Sequence, residues 1–124
     1  MRNPDDPTDL LRAILEAAGI PHRVDRDLIV AGELAIVVVE PDAGVVVGHD
    51  ALNHAYLRIA GSGATWGLVI ALGYVDPREV ERREMAAPHV RHAGPDAVQR
   101  MADAAALGAD PVRFALGIPV RTAE

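Results

Sequence analysis

The sequence contains no cysteine and no lysine, and each absence excludes a class of chemistry. Without cysteine there are no disulfides, thiol nucleophiles or thiolate metal sites. Without lysine there is no Schiff base, no covalent pyridoxal phosphate and no phosphate-loop lysine. The single serine, Ser62, lies between a predicted helix and a predicted strand, whereas a nucleophile elbow leads from a strand into a helix. We therefore expect no cofactor, and we lean towards a protein that is not an enzyme.

Aromatic residues and positive charge are also scarce. Phe, Trp and Tyr make up 3% of the chain, and the formal net charge is −6 at pH 7. Single-stranded nucleic acid binds to stacked aromatic side chains, and duplex phosphates require an excess of basic ones. Charge therefore makes nucleic acid a disfavoured partner, and it argues equally against an anionic membrane surface.

Long apolar runs are absent as well. No run approaches the ~18 residues that span a bilayer, and the first residues lack the apolar region of a secretory signal. We expect a cytoplasmic protein with no membrane partner, and a flexible tail over residues 1–6.

Hydrophobic residues make up 50% of the 124 residues, and most of them are aliphatic. This is enough for the core of one domain, expected to span 1–124. Helical spacing of apolar residues and short β-branched runs predict the order α-β-β-β-α-β-α-α. The four helices of this order are predicted at 8–18, 50–60, 76–85 and 95–107, and the four strands at 23–30, 34–39, 45–47 and 65–72. A loop is predicted at 86–94, and a further short helix that ends at 116 follows the last helix of the order. The fold class is α/β (α+β), with a small mixed sheet covered by helices and a helical C-terminal third.

The run from Leu34 to Val39 has no polar side chain that would face water. Such a run is typical of a strand that is buried on both faces, so we expect it at the centre of the sheet. The strand at 65–72 follows a helix, and a strand reached through a helix pairs parallel to an earlier strand. The sheet is therefore expected to be mixed.

Five carboxylates surround the predicted strands: Asp25, Asp27, Glu33, Glu40 and Asp42. Carboxylates at strand ends can bind a divalent metal that activates water for phosphodiester hydrolysis. The order α-β-β-β-α-β, over roughly residues 8–73, resembles the core of the PD-(D/E)xK nuclease family. The resemblance implies an Asp near the start of the second core strand, where Asp27 fits, and an acid-x-Lys pair on the third.

The acid-x-Lys pair is missing from both candidates for the third strand. The runs 45–47 and 34–39 contain neither acid nor lysine, and Glu40 lies beyond the second. Asp27, Glu40 and Asp42 are therefore weak catalytic candidates in a nuclease-like domain that lacks the full motif. The alternative interpretation is that these acids are turn residues that keep the sheet edges soluble.

Four residues are weak candidates for metal ligands. Asp50 and His54 are spaced i, i+4 on a predicted helix, and His89 and His92 are three residues apart in the predicted loop. A zinc site would require the two segments to meet. The alternative is that Asp50 caps its helix or pairs with His54, while the other two histidines are exposed. We expect no metal.

Two segments suggest binding surfaces. Residues 98–117 have the spacing of a helix-turn-helix, although Arg113 is the only basic residue of the second helix, so a DNA-binding regulator is one alternative. The charged helix at 76–85 carries Arg78, Arg82 and Arg83, which suit an acidic protein surface.

The function that these observations favour is a small non-enzymatic regulatory or accessory module. It would act by protein–protein binding or self-association, as a homodimer. An edge strand of the sheet and the alanine-rich helix from Ala102 to Ala106 are the surfaces expected to pair.

Overall fold

The structure, a computed structural model, describes residues 7–41, 46–108 and 110–111. Among these residues, no helix combines the length and apolarity needed to cross a membrane. The elements are α1 (Pro7–Ala17), β1 (Arg23–Asp25), β2 (Leu28–Ala31), β3 (Leu34–Val39), α2 (His49–Ser62), β4 (Trp66–Ala71), α3 (Pro77–Ala86), β5 (Val90–Ala93) and α4 (Asp96–Ala106). The expected α/β (α+β) class and mixed sheet are confirmed, with one strand more than predicted.

The strands lie in the sheet in the same order as in the chain, from β1 to β5. β1, β2 and β3 pair antiparallel, whereas β3, β4 and β5 pair parallel through the connecting helices α2 and α3. β3 therefore lies at the centre, as its apolar run predicted, and the expected parallel pairing of the strand after α2 is confirmed.

Alternation along the strands divides the core between the two faces of the sheet. Ile36 and Leu68 face one side, where they pack with α1 and α4. Val37 and Val69 face the other side, where α2 packs with Leu52, Ala55 and Ile59. Because successive strand residues point to opposite faces, a strand buried on both faces must be apolar throughout. The result is a layer of helices on each side of the sheet.

The predicted strand at 23–30 is two strands joined by a tight turn. Asp25 pairs with Leu28, and Arg26 between them has a φ of 57°. A positive φ is uncommon for a residue with a side chain, and no glycine is present to indicate the turn. The hairpin was therefore not apparent from the sequence.

Two further predictions were wrong. The predicted strand at 45–47 forms only an isolated bridge between Val46 and Tyr74, while residues 42–45 lie outside the described part. The predicted loop at 86–94 contains β5, which pairs with β4. The strand was not predicted because its sequence is short and half polar. The tail at 1–6 and the short helix ending at 116, apart from Asp110 and Pro111, also lie outside the described residues.

Candidate functional site

A polar stripe on α2 faces a polar stripe on α3. His49, Asn53 and Tyr56 are spaced i, i+4 and i+7 along α2, which places them on one side of that helix. Glu79 and Arg83 are four residues apart on α3. We call these five residues, together with Glu84 and His92, the polar network.

Arg83 lies at the centre of the network. Its guanidinium donates to Glu79 Oε1 from Nε at 2.9 Å and from Nη2 at 2.7 Å, and Nη2 also donates to Asn53 Oδ1 at 2.9 Å. It lies 5.2 Å from the centre of the Tyr56 ring, within the range of a cation–π contact. The hydrogen bond from Arg83, supported by one from His49, lowers the pKa of Glu79.

Tyr56, His92 and Glu84 form a chain of hydrogen bonds from α2 to β5 to α3. The Tyr56 hydroxyl lies 3.0 Å from His92 Nε2, and His92 Nδ1 lies 3.1 Å from Glu84 Oε2. The same Glu84 oxygen accepts the His92 backbone N–H at 2.8 Å. In the tautomer in which His92 Nδ1 donates to the Glu84 carboxylate, Nε2 is the acceptor for the Tyr56 hydroxyl.

This order of hydroxyl, imidazole and carboxylate is the order found in nucleophilic triads, but the hydroxyl is not activated. Burial raises the pKa of Tyr56 to about 12, so the phenol keeps its proton near neutral pH. The His92 side chain is only 6% exposed, and both of its ring nitrogens have hydrogen-bond partners. The hydrogen bonds from Tyr56 through His92 to Glu84 are therefore suited to holding α2, α3 and β5 together.

Two clefts lie on either side of Leu57. The first, the α2–α3 cleft, has a volume of about 640 Å³ and is lined by residues that include Tyr56, Leu57, Ala60, Arg83, Ala87 and His89. The second, the hairpin cleft, has a volume of about 170 Å³ and lies between α2 and the β1–β2 hairpin, lined by residues that include Arg23, Leu28, Leu57, Arg58 and Gly61. Leu57 itself is 72% exposed. An apolar side chain therefore projects from α2 with a cleft on each side.

A third cleft, of about 340 Å³, lies at the carboxyl ends of β4 and β5. Its walls are mostly apolar, with Val75, Val80 and Ala93 among them, and His92 is the one ionisable residue among the described residues that line it. Ligands of α/β proteins commonly bind at this end of parallel strands. Here the two ring nitrogens of His92 already have hydrogen-bond partners, Tyr56 and Glu84.

A scan against protein-family models, a search of curated proteins and a search of solved structures each find no match. The function is therefore inferred from the geometry of the site.

Within the part of the chain that the structure describes, the acidic candidates belong to no group of three or more potential metal ligands. Asp27 directly precedes β2, as the nuclease resemblance implied, but its carboxylate accepts from Arg58 Nε at 3.1 Å. Glu40 is exposed after β3, and Asp42 lies outside the described residues. β3 is the third strand, and its Leu34–Val39 sequence has neither an acid nor a lysine. The order of the first six elements agrees with the resemblance, whereas the residues that would cleave a phosphodiester are absent from β3.

The metal-ligand candidates are also dispersed. His54 lies 3.9 Å from Asp27 instead of pairing with Asp50, which is exposed. His89 is exposed in the α2–α3 cleft, while His92, expected to be exposed, belongs to the polar network. Within the described residues, no group of three or more potential ligands is placed to hold a metal ion.

The arginine candidates divide between two sides of α3. Arg78 and Arg82 are exposed on its outer face, whereas Arg83 turns towards α2 and its side chain is 15% exposed. Arg113 lies outside the described residues, as does the helix that would complete a helix-turn-helix, so that hypothesis stays a prediction.

Sequence reasoning singled out Arg83 and His92 as separate candidates but missed the network that joins them. The signal for Asn53 and Tyr56 was their spacing from His49 on one side of α2. No local signal indicates Glu84, because its partner His92 belongs to a strand that the sequence did not predict.

Proposed function

We propose that the protein is a small non-catalytic accessory module that self-associates as a homodimer. The surface that pairs is the outer face of α2, the exposed side that carries Leu57, Ala60 and Gly61. The observation that carries the proposal is the position of Leu57, which is 72% exposed and lines two clefts at once. An exposed leucine by itself is ordinary, but one that projects between two clefts has the form of a packing contact.

The outer face of α2 is suited to pairing with a copy of itself. In a two-fold interface each contact occurs twice, so Leu57 of one copy would enter the α2–α3 cleft of the other and the reverse. Ala60 and Gly61, which are exposed beside Leu57, leave room for a close approach of the two helices. α2 has 14 residues, a length of about 21 Å, which is enough to form the axis of an interface.

The surfaces that the sequence suggested for pairing are largely used within the molecule. The outward N–H groups of β5 donate to Glu84 and to the Ala87 carbonyl, and β1 has only three residues. On α4, Ala104 is buried, and Ala102 and Ala105 pack against the core. The outer face of α2 is therefore the stronger candidate.

Mass measured by light scattering across a concentration series tests the proposal. The chain is expected to approach twice its monomer mass at high micromolar concentration. Leu57→Glu is expected to remain a monomer, because a carboxylate loses hydration when it packs against the apolar side chains of the cleft, such as Ile59, Ala60 and Ala87.

Leu107→Glu is the matched control. Leu107 is 87% exposed and follows α4, which covers the other face of the sheet, so this variant is expected to dimerise like the parent chain. A parent mass that stays at one chain, or equal losses from both variants, would overturn the proposal.

A further inference from the structure

α3 is attached to the molecule differently from the other helices. No residue of α3 is buried, whereas α1, α2 and α4 each bury apolar side chains in the described part of the core. Most helical stability in proteins comes from packing of an apolar face, and α3 has little of it. α3 is therefore held mainly by its polar contacts.

Those contacts belong to the polar network. Glu84 accepts from the backbone and the ring of His92, Arg83 donates to Asn53 and lies over Tyr56, and Glu79 is 2.6 Å from His49 Nδ1. Exposed ion pairs contribute little to stability, so the contact of Glu84 with the nearly buried His92 carries the most weight among them. The position of α3 thus depends on a few hydrogen bonds.

α3 also forms one side of the α2–α3 cleft. Arg83 belongs to α3, and Ala87 and His89 lie in the segment that leads from α3 to β5. If α3 moves away from α2, this side of the cleft moves with it. Leu57 of a second copy would then lose the surface against which it packs.

We propose that the polar network controls self-association, because it holds α3 in the position that forms the α2–α3 cleft. Release of the Glu84–His92 contact opens the cleft and dissociates the dimer while the sheet and the other helices stay folded. This inference rests on the proposed homodimer and adds its regulation.

The test compares Glu84→Ala with the parent chain in two measurements. Hydrogen exchange is expected to be about tenfold or more faster at the amides of α3 and at His92, whose N–H loses its acceptor, with exchange in β3 and β4 unchanged. The dissociation constant of the dimer is expected to rise by a similar factor. Neither Glu84 nor Glu79 lines the cleft, so a change in association would act through the position of α3.

Two further variants complete the design. Glu81→Ala removes the same charge from the exposed side of α3, outside the polar network, and is expected to leave both measurements unchanged. Glu79→Gln weakens the contacts of Arg83 and His49 instead, and it is expected to act in the same direction as Glu84→Ala. It keeps the inference testable if Glu84→Ala does not fold.

The outcomes separate this inference from the proposed function. A parent chain that is monomeric throughout overturns the homodimer itself. A dimer of unchanged affinity in Glu84→Ala, with α3 exchanging faster, leaves the homodimer standing and overturns its control by the network. If hydrogen exchange in α3 is unchanged in both Glu84→Ala and Glu79→Gln, control of the dimer by the network is overturned as well.

Discussion

Two arginines, Arg58 on α2 and Arg83 on α3, make several of the polar contacts that hold α2 to its neighbours on either side. Arg58 donates to the Asp27 carboxylate and to the Asp25 carbonyl, at the two ends of the turn that contains Arg26. Arg83 joins α3 to Asn53 and Tyr56. In both cases one guanidinium serves several acceptors, which its fork of donors allows. The hairpin and α3 are therefore each fixed to the same helix.

Tyr56→Phe tests the hydrogen bond from the hydroxyl to His92. We expect a loss of about 1 kcal/mol in the free energy of unfolding at neutral pH, the usual value for a partly buried hydrogen bond. The pKa of Tyr56 is raised from 10.0 to about 12, so its contribution is fully present below pH 10 and is lost as the pH rises towards 12. Urea unfolding at neutral and at alkaline pH measures both effects.

Tyr74→Phe is the control for that experiment, because Tyr74 is 60% exposed. Only the Tyr56 variant is expected to unfold with a flatter dependence on pH in the alkaline range. The same alkaline loss in the parent chain and in Tyr56→Phe would contradict the role given to the half-buried phenol.

At the scale of elements, α2 approaches β4 closely at a glycine. A Cβ added to Gly67 would lie 2.8 Å from Ile59 Cγ2 and 2.9 Å from Ile59 Cδ1, and Ile59 is buried in the core. We expect Gly67→Ala to lower the free energy of unfolding by about 1–3 kcal/mol, the usual cost of overpacking. Chemical denaturation at low protein concentration measures it.

Gly61→Ala is the matched control in the same pair of elements. Gly61 lies in α2, and nothing is within 4 Å of its added Cβ. Since alanine favours the helix, we expect this variant to gain up to about 1 kcal/mol. Equal effects at the two glycines would show that the approach of α2 to β4 is not close.

The central strand is the element whose substitution should matter most. Val37 is 1% exposed and packs under α2, so Val37→Asp places a carboxylate where it has no partner. We expect a loss of about 4 kcal/mol or more, which leaves the chain insoluble or molten. Near-ultraviolet circular dichroism and solubility report the outcome.

Val24→Asp, on the edge strand β1, is the comparison, since Val24 is 37% exposed. That variant is expected to stay folded with a change of about 0.5 kcal/mol or less. A native-like spectrum for Val37→Asp would refute the packing described for β3.

An element can be predicted from the sequence when the pattern of its own residues reflects its burial. β3 and β4 were apparent because their burial on both faces requires unbroken apolar runs, and α1 and α4 because their apolar residues recur at helical spacing. β5 was missed because it has only four residues, of which Val90 alone is buried, and its edge is satisfied by Glu84. The site was predicted only in part, since contacts such as Glu84–His92 depend on tertiary structure that no local pattern encodes.

At the scale of the whole molecule, we expect stability to be independent of divalent metals. Within the described residues, no three potential ligands converge, and Asp27 is engaged by Arg58. Addition of EDTA should therefore leave the melting temperature unchanged. A fall of several degrees that zinc or manganese reverses would contradict this, because a ligand that binds the folded state raises its stability.

The order of the strands in the sheet has a consequence for how the chain folds. Every strand lies beside the strand that precedes it in the chain, so each pairing closes only a short loop or one helical connection. Chains with such local pairings fold faster than those whose sheets join distant segments. During synthesis, each new strand could dock on the one before it without waiting for a later segment. The packing of α1 with α4, which joins the two ends of the described fold, would then be the last step.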